Sequence, residues 1–251
     1  MTPEPAPRFW DHRWNPPPGT APRGTVVVLP GRGEHPGVYE RLGRRLAFDG
    51  YRVVAVDEAG QGARPLPGSL NDAGPGPRVL LGADTGAQRA ITLAAQSTPG
   101  LDGLILVGLP TGTGAPPPVE GWEAELDLRT GCPHHRRHLT LDRRFRRGAL
   151  GTSPGEATAP APALDRVSVP VLALHGTHDR VSPLAEVRRV YSGFPDVHLV
   201  TLAGTRHDAL NDLTHRTAAA MVVLFLEQLR LSPDLPAIAV ADSGYLTGGV
   251  H

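Results

Sequence analysis

Six short runs along the chain are close to continuously apolar and rich in β-branched residues. They are Thr25–Leu29 (TVVVL), Arg52–Val56 (RVVAV), Val79–Gly82 (VLLG), Leu104–Gly108 (LILVG), Val171–His175 (VLALH) and Val197–Leu202 (VHLVTL). Near-continuous rather than alternating apolar character predicts strands covered on both faces, as in a parallel sheet. Segments with helical period lie between them, at Tyr39–Phe48, Thr85–Ala95, Leu184–Tyr191 and Thr214–Leu231. Strand–helix alternation through short glycine-containing loops predicts a doubly wound, mostly parallel α/β sheet, with residues 1–251 forming one domain.

Two regions break the rhythm. Residues 110–169 open with a Pro/Gly-rich stretch, pass through polar and Arg-rich sequence with helical character, and end in a second small-residue linker. An insertion of that composition between two core strands is expected to form a small cap over the carboxyl edge of the sheet. The other break, Ala63–Arg78, is long enough for a parallel crossover, which needs about 10–12 residues. It carries no amphipathic pattern, so its covering helix is expected to be lost or reduced.

Composition narrows the function classes. Cationic and acidic residues balance at 25 each, which removes the electrostatic footprint of a nucleic-acid binder or a polybasic membrane-surface protein. Every cationic residue is Arg. Without lysine there is neither a Schiff-base amine nor a Walker-type phosphate loop. The single cysteine, Cys132, excludes a disulfide framework and a CxxC metal or redox site. The 30 Gly and 27 Pro fall mostly between the apolar runs, where they punctuate turns. No apolar leader and no stretch of 18 apolar residues is present, so a cytoplasmic chain acting on a small molecule, without membrane or nucleic-acid partners, is expected.

The chemistry is concentrated after three strands. Gly82-Ala83-Asp84-Thr85-Gly86 lies where a strand turns into a helix. Small neighbours permit a sharp turn that lifts Asp84 above the sheet edge, with the N–H of Thr85 at the positive end of the helix beside it. Taken alone, the same residues equally suit Asp84 as a simple helix cap. Asp179 follows the strand at Val171–His175, and His207 follows the strand at Val197–Leu202. Loops at the carboxyl ends of such strands converge on one crevice.

With those segments in view, the chain resembles the α/β-hydrolases, and more narrowly their monoacylglycerol lipase and lysophospholipase branch. Residues 25–62 carry much of the likeness, with GRGEH in the loop after the first strand and DEAGQG after the second; LHGTHDRVSP and AGTRHDALND match the acid and histidine segments. The resemblance implies Asp179 as the orienting acid, His207 as the base, and the backbone N–H groups of Arg32 and Thr85 as an oxyanion hole. It also implies a serine where this chain has Asp84, and a histidine where it has Pro30. No cofactor or metal is implied.

A carboxylate in that position is similar to the epoxide hydrolases and haloalkane dehalogenases of the same fold, where it attacks carbon and a His-activated water cleaves the resulting ester. Their usual partners are missing: all four tyrosines lie outside residues 110–169, and Thr85 stands where dehalogenases usually carry Trp or Arg. Three uses of Asp84, Asp179 and His207 therefore stay open. One is hydrolysis of an ester, lactone or epoxide-like electrophile; another is proton transfer of the epimerase, lyase or cyclase kind; the third is binding without catalysis. Trp122 and Phe145 are candidates to line a substrate pocket, or to anchor the insertion. His35 is a candidate for substrate contact or for shaping the loop beside the oxyanion hole. His134, His135 and His138 suit a polar surface better than a metal site. Cys132 reads as structural, Asp208 and Asp212 as caps of the last helix, and Asp57, Glu58 and Gln61 as loop polarity.

Overall fold

The computed structural model describes residues 12–56, 74–96, 98–111, 119–152, 164–194, 196–232, 234–235 and 237–239. Seven strands form one sheet: β1 His12–Trp14, β2 Thr25–Leu29, β3 Arg52–Ala55, β4 Arg78–Ala83, β5 Gly103–Val107, β6 Val171–Gly176 and β7 Val197–Leu202. Their order is β1-β3-β2-β4-β5-β6-β7, with β1 antiparallel on the edge and all other pairs parallel. The helices are α1 Glu40–Phe48, α2 Thr85–Ala95, α3 Trp122–Arg129, α4 Pro133–Leu141, α5 Leu184–Tyr191 and α6 His215–Leu231.

The continuous apolar runs have a direct cause. Within β2, Val26 and Val28 enter one core layer while Val27 and Leu29 enter the other. Leu81 and Leu80 divide the same way in β4, and Ile105 and Leu104 in β5. With period-2 side chains feeding two buried layers, nearly every strand position is apolar, Thr25 and His175 being buried polar exceptions. β7, at the other edge, is only partly covered, and His198 and Thr201 are exposed there, one on each face.

β1 was not expected from the pattern. Three residues, HRW, make no apolar run; the strand exists because His12 to Trp14 pair with Val53 to Ala55. Trp14 then packs on α1, where Gly43 leaves room for its ring, since a Cβ there would come within 2.2 Å of it. Asp57, Glu58, Gln61 and most of the 63–78 crossover lie outside the described residues.

The chain leaves β2 for β3 on one side of the sheet and enters β4 on the other. This reversal opens a crevice at the carboxyl ends of β2 and β4, the switch point where doubly wound sheets place their sites. The segment after β5 contributes α3 and α4, which meet those loops from above. Backbone N–H groups of His207 and Asp208 donate to the carbonyls of Leu128 and Arg129, and Arg146 N–H donates to Gly33. Leu126, Leu139 and Phe145 join the main core.

Candidate active site

Asp84 sits between β4 and α2 with φ 50° and ψ −124°, in the left-handed half of conformational space that a residue with a Cβ rarely adopts. The flanking glycines allow it. A Cβ on Gly86 would lie 2.1 Å from the Leu29 carbonyl, and one on Gly82 would lie 2.2 Å from the Gly86 carbonyl. Parallel pairing continues to the turn, where Asp84 N–H donates to Val107. The sharp turn expected of this motif is therefore present, and it raises the carboxylate over the crevice.

His207 lies in the loop after β7, buried, with its ring between two carboxylates. Nδ1 is 2.8 Å from Asp179 Oδ2, and Nε2 is 3.3 Å from Asp84 Oδ1. Asp179, after β6, is fixed from behind by the backbone N–H groups of Val181 and Ser182, which both donate to Oδ1. The three sequence-predicted side chains thus meet at one point.

Arg32 adds a feature that the sequence reading missed. Its backbone N–H, expected beside the elbow, faces it and donates to Asp84 Oδ2 at 2.8 Å. Its side chain also turns onto the same carboxylate, with Nε to Oδ2 and Nη2 to Oδ1, each 2.8 Å. Nη1 is held by the carbonyls of Leu150 and Thr152 in the segment after α4. An arginine in the loop facing a carboxylate elbow was the available signal, through charge complementarity alone. Thr85 opens α2, which puts its backbone at the helix N-terminus beside Asp84.

These contacts set the charges. Burial by itself would raise Asp84, but His207 and the Arg32 guanidinium outweigh it and hold the carboxyl far below the usual carboxylate range. For His207, burial opposes the cation, but the charge and hydrogen bond of Asp179, then Asp84, push it up to about 10. Asp179 is likewise held low against burial, chiefly by the His207 charge. At neutral pH the site is therefore a carboxylate–imidazolium–carboxylate row with a guanidinium on the outer end.

A second charged cluster adjoins the site. Arg129, at the end of α3 with its side chain 1% exposed, donates to the Arg32 carbonyl (2.7 Å) and to Glu125 (3.0 Å), and lies 3.5 Å from Asp208 and 3.9 Å from Glu34. Glu34 accepts from Gly31 N–H and from the Tyr39 hydroxyl. Asp208 and Asp212 do not cap α6, which begins after Thr214. Asp208 faces Arg129, while Asp212 accepts from Thr130, Gly131 and Arg206.

The remaining candidates fall outside the triad. His35 bonds Asp142 at 2.7 Å and accepts from Gly37 N–H, tying the loop after β2 to the segment after α4. Trp122 and Phe145 pack on each other with centroids 5.7 Å apart, and Phe145 lies under the Arg129 guanidinium. Neither borders the small cavity beside Asp84. Cys132 is buried next to Arg41. Among the described residues no group of three His, Cys, Asp or Glu side chains is arranged to hold a metal ion. No helix among them is long and apolar enough to cross a membrane.

The sheet order and the strained strand-to-helix elbow are those of the α/β-hydrolase superfamily's fold. The chain's likeness within that superfamily is to the monoacylglycerol lipase branch. Residues 20–75 match the family model described as serine aminopeptidase, S33. The monoacylglycerol lipase of Mycolicibacterium smegmatis is 28% identical over 246 residues, covering 78% of this chain and 85% of that protein. The solved monoacylglycerol lipase of Paleococcus ferrophilus superposes with a TM-score of 0.67 at 20% identity, covering 89% of this chain and 99% of its own. The enol-lactonase of Burkholderia xenovorans LB400 also gives 0.67, at 18% identity over 87% of this chain and 96% of that one.

Proposed function

We propose that the chain hydrolyses a small organic electrophile of the ester, lactone or epoxide-like kind, with Asp84 as nucleophile, His207 as proton carrier and Asp179 as its orienting acid. The observation that carries this reading is the single imidazole held between Asp179 and Asp84 at the strained turn. The enzymes it resembles supply the reaction class, and residues 110–169 are read as a small cap over the crevice.

Charge transfer favours an epoxide-like substrate. A carboxylate oxygen of Asp84 bonds to the ring carbon, the carbon–oxygen bond breaks, and the ring oxygen takes the proton of the His207 imidazolium. This leaves an Asp84 ester and a neutral His207. Esterification also removes the Asp84 charge that helps keep His207 protonated, so the ring becomes a base when one is needed. Water then gives a proton to His207 while its oxygen bonds to Cγ of Asp84. The Arg32 and Thr85 N–H groups face the resulting oxyanion. Collapse expels the alkoxide, which takes the proton of the new carboxyl group; the diol leaves, and Asp84 carries one oxygen from water. An imidazolium in the resting site thus supplies the proton that no tyrosine of the 110–169 segment provides.

Single turnover in heavy-oxygen water tests this, using terminal epoxides and short p-nitrophenyl esters. The expected result is one heavy oxygen in the peptide containing Asp84, and no turnover by Asp84→Asn. Turnover that survives in that variant, with no label, overturns it. A second reading, binding without catalysis, is favoured by Arg32, whose fork and backbone N–H occupy both oxygens of Asp84. Under that reading Asp84→Asn leaves ligand binding intact and no member of the panel turns over.

A further inference from the structure

Beside the triad lies a cavity of about 10 Å³, bounded by Asp84, His207, Asp208, Glu34, Tyr39 and Asn211 together with apolar residues. That is close to the room one water requires, and a buried water needs two to four polar partners. Two of the bounding residues carry a buried side-chain atom with no hydrogen-bond partner in the protein. They are His207 Nε2, whose 3.3 Å approach to Asp84 is off the line of a hydrogen bond, and Asp208 Oδ2. The side chains of these two residues are 1% and 5% exposed. Asp208 Oδ2 lies 3.7 Å from His135 Nε2, so the polar atom left for the cavity to satisfy is His207 Nε2, and a water there would accept its hydrogen bond.

We propose that this cavity holds one ordered water, and that Glu34 exchanges a proton with His207 through it. The imidazolium Nε2–H gives its proton to the water, and the water gives one of its own to the Glu34 carboxylate. His207 becomes neutral, Glu34 becomes a neutral acid, and the water is regenerated; with His207 near 10 and Glu34 near 7 this transfer is uphill in the resting site, where the proton stays on the ring. Glu34 suits the role because it can hold either state near neutrality. Burial, with the Asp208 charge adding to it, pushes the carboxyl up to about 7, against Arg129, the Tyr39 hydroxyl and Gly31 N–H. The groups facing it are Tyr39 ahead of α1, Arg129 of α3, and Asp208 of the histidine loop. Behind these stand Glu125 and His135, paired with Arg129 and Asp208. The use of this exchange in turnover rests on the Asp84 reading above; the water and the link from Glu34 to His207 do not.

The test is a pH titration of the intact protein, followed through the ring-nitrogen resonances of His207. The wild type should show a step near pH 7 while the ring is still an imidazolium, since its own deprotonation falls near 10. Glu34→Gln should abolish the step. Tyr39→Phe removes a donor to the carboxylate and should move the step to higher pH, which keeps the test open if the glutamine variant fails to fold. A crystal structure at high resolution should show a single water within hydrogen-bond distance of His207 Nε2. No step in the wild type, a step that survives in Glu34→Gln or stays put in Tyr39→Phe, or a dry cavity overturns the proposal. Because these readouts need no substrate, they can fail while Asp84 labelling succeeds, and succeed while labelling fails.

Discussion

Two carboxylates flank the same imidazole, and they are held in opposite ways. Asp179 is fixed by its own loop: the backbone N–H groups two and three residues ahead donate to one oxygen, leaving the other for His207. Asp84 is fixed from a distance. Its main partner is a guanidinium 52 residues away, with a strained turn beneath it. Asp179 is therefore set by neutral donors of its own loop, whereas Asp84 is set by one distant backbone N–H and by a charged side chain anchored on the carbonyls of Leu150 and Thr152. The first arrangement suits an orienting acid. The second suits a group that must trade its partner for a substrate.

Three variants probe that contrast, and the largest effect should come from the fixed side. Asp179→Asn should lower single turnover by about 10⁴, as when the orienting acid of a serine protease is neutralised. The same variant should shift the His207 titration well below its wild-type value, because the Asp179 charge is the foremost group raising it; an unshifted ring resonance would break the comparison. On the exchangeable side, Arg32→Gln should cost about 1.5–3 kcal/mol in denaturant unfolding, since Asp84 loses its charge-assisted bonds to the guanidinium but keeps the imidazolium and a backbone N–H. Adding Asp84→Asn should recover much of that loss. Strict additivity of the two changes would mean that the fork contributes nothing as a pair.

The remaining test is a pH dependence. The folded-state value of His207 lies above its unfolded value of 6.5, so its contribution is complete below about 6.5 and is lost as pH rises through about 10. Asp84 and Asp179 have the opposite sign: their contributions are present above the unfolded carboxylate range and fade as pH falls below it. Unfolding free energy should therefore decline between pH 7 and 10 in the wild type, and more shallowly in His207→Gln. Equal slopes would count against an imidazolium in the folded site.

Most of the sheet could be read from the chain. The observed limits of β2 coincide with its apolar run, because a strand buried on both faces leaves an unbroken signature, and those of β7, α2 and α5 also match the segments predicted for them. β1 could not be read that way, since its partner strand alone makes HRW a strand. The site divides along the same line. Asp84, Asp179 and His207 each stand in a local motif, and strand order brings those motifs together. The Arg32 fork and the Arg129–Glu34–Asp208 cluster have no such motif.

By itself, then, the sequence determined six of the seven described strands, where the chain turns sharply, and which three residues reach the crevice. These follow from side-chain period, glycine placement and strand-to-loop order, all properties of short stretches. Tertiary structure alone decided that Asp84 rests in an arginine fork, that His207 is held as a cation, and that a buried glutamate lies across a water-sized space from it. Each of these is a pairing of charges from distant segments, and its sign and strength come from separation and burial, which exist only once the chain has folded.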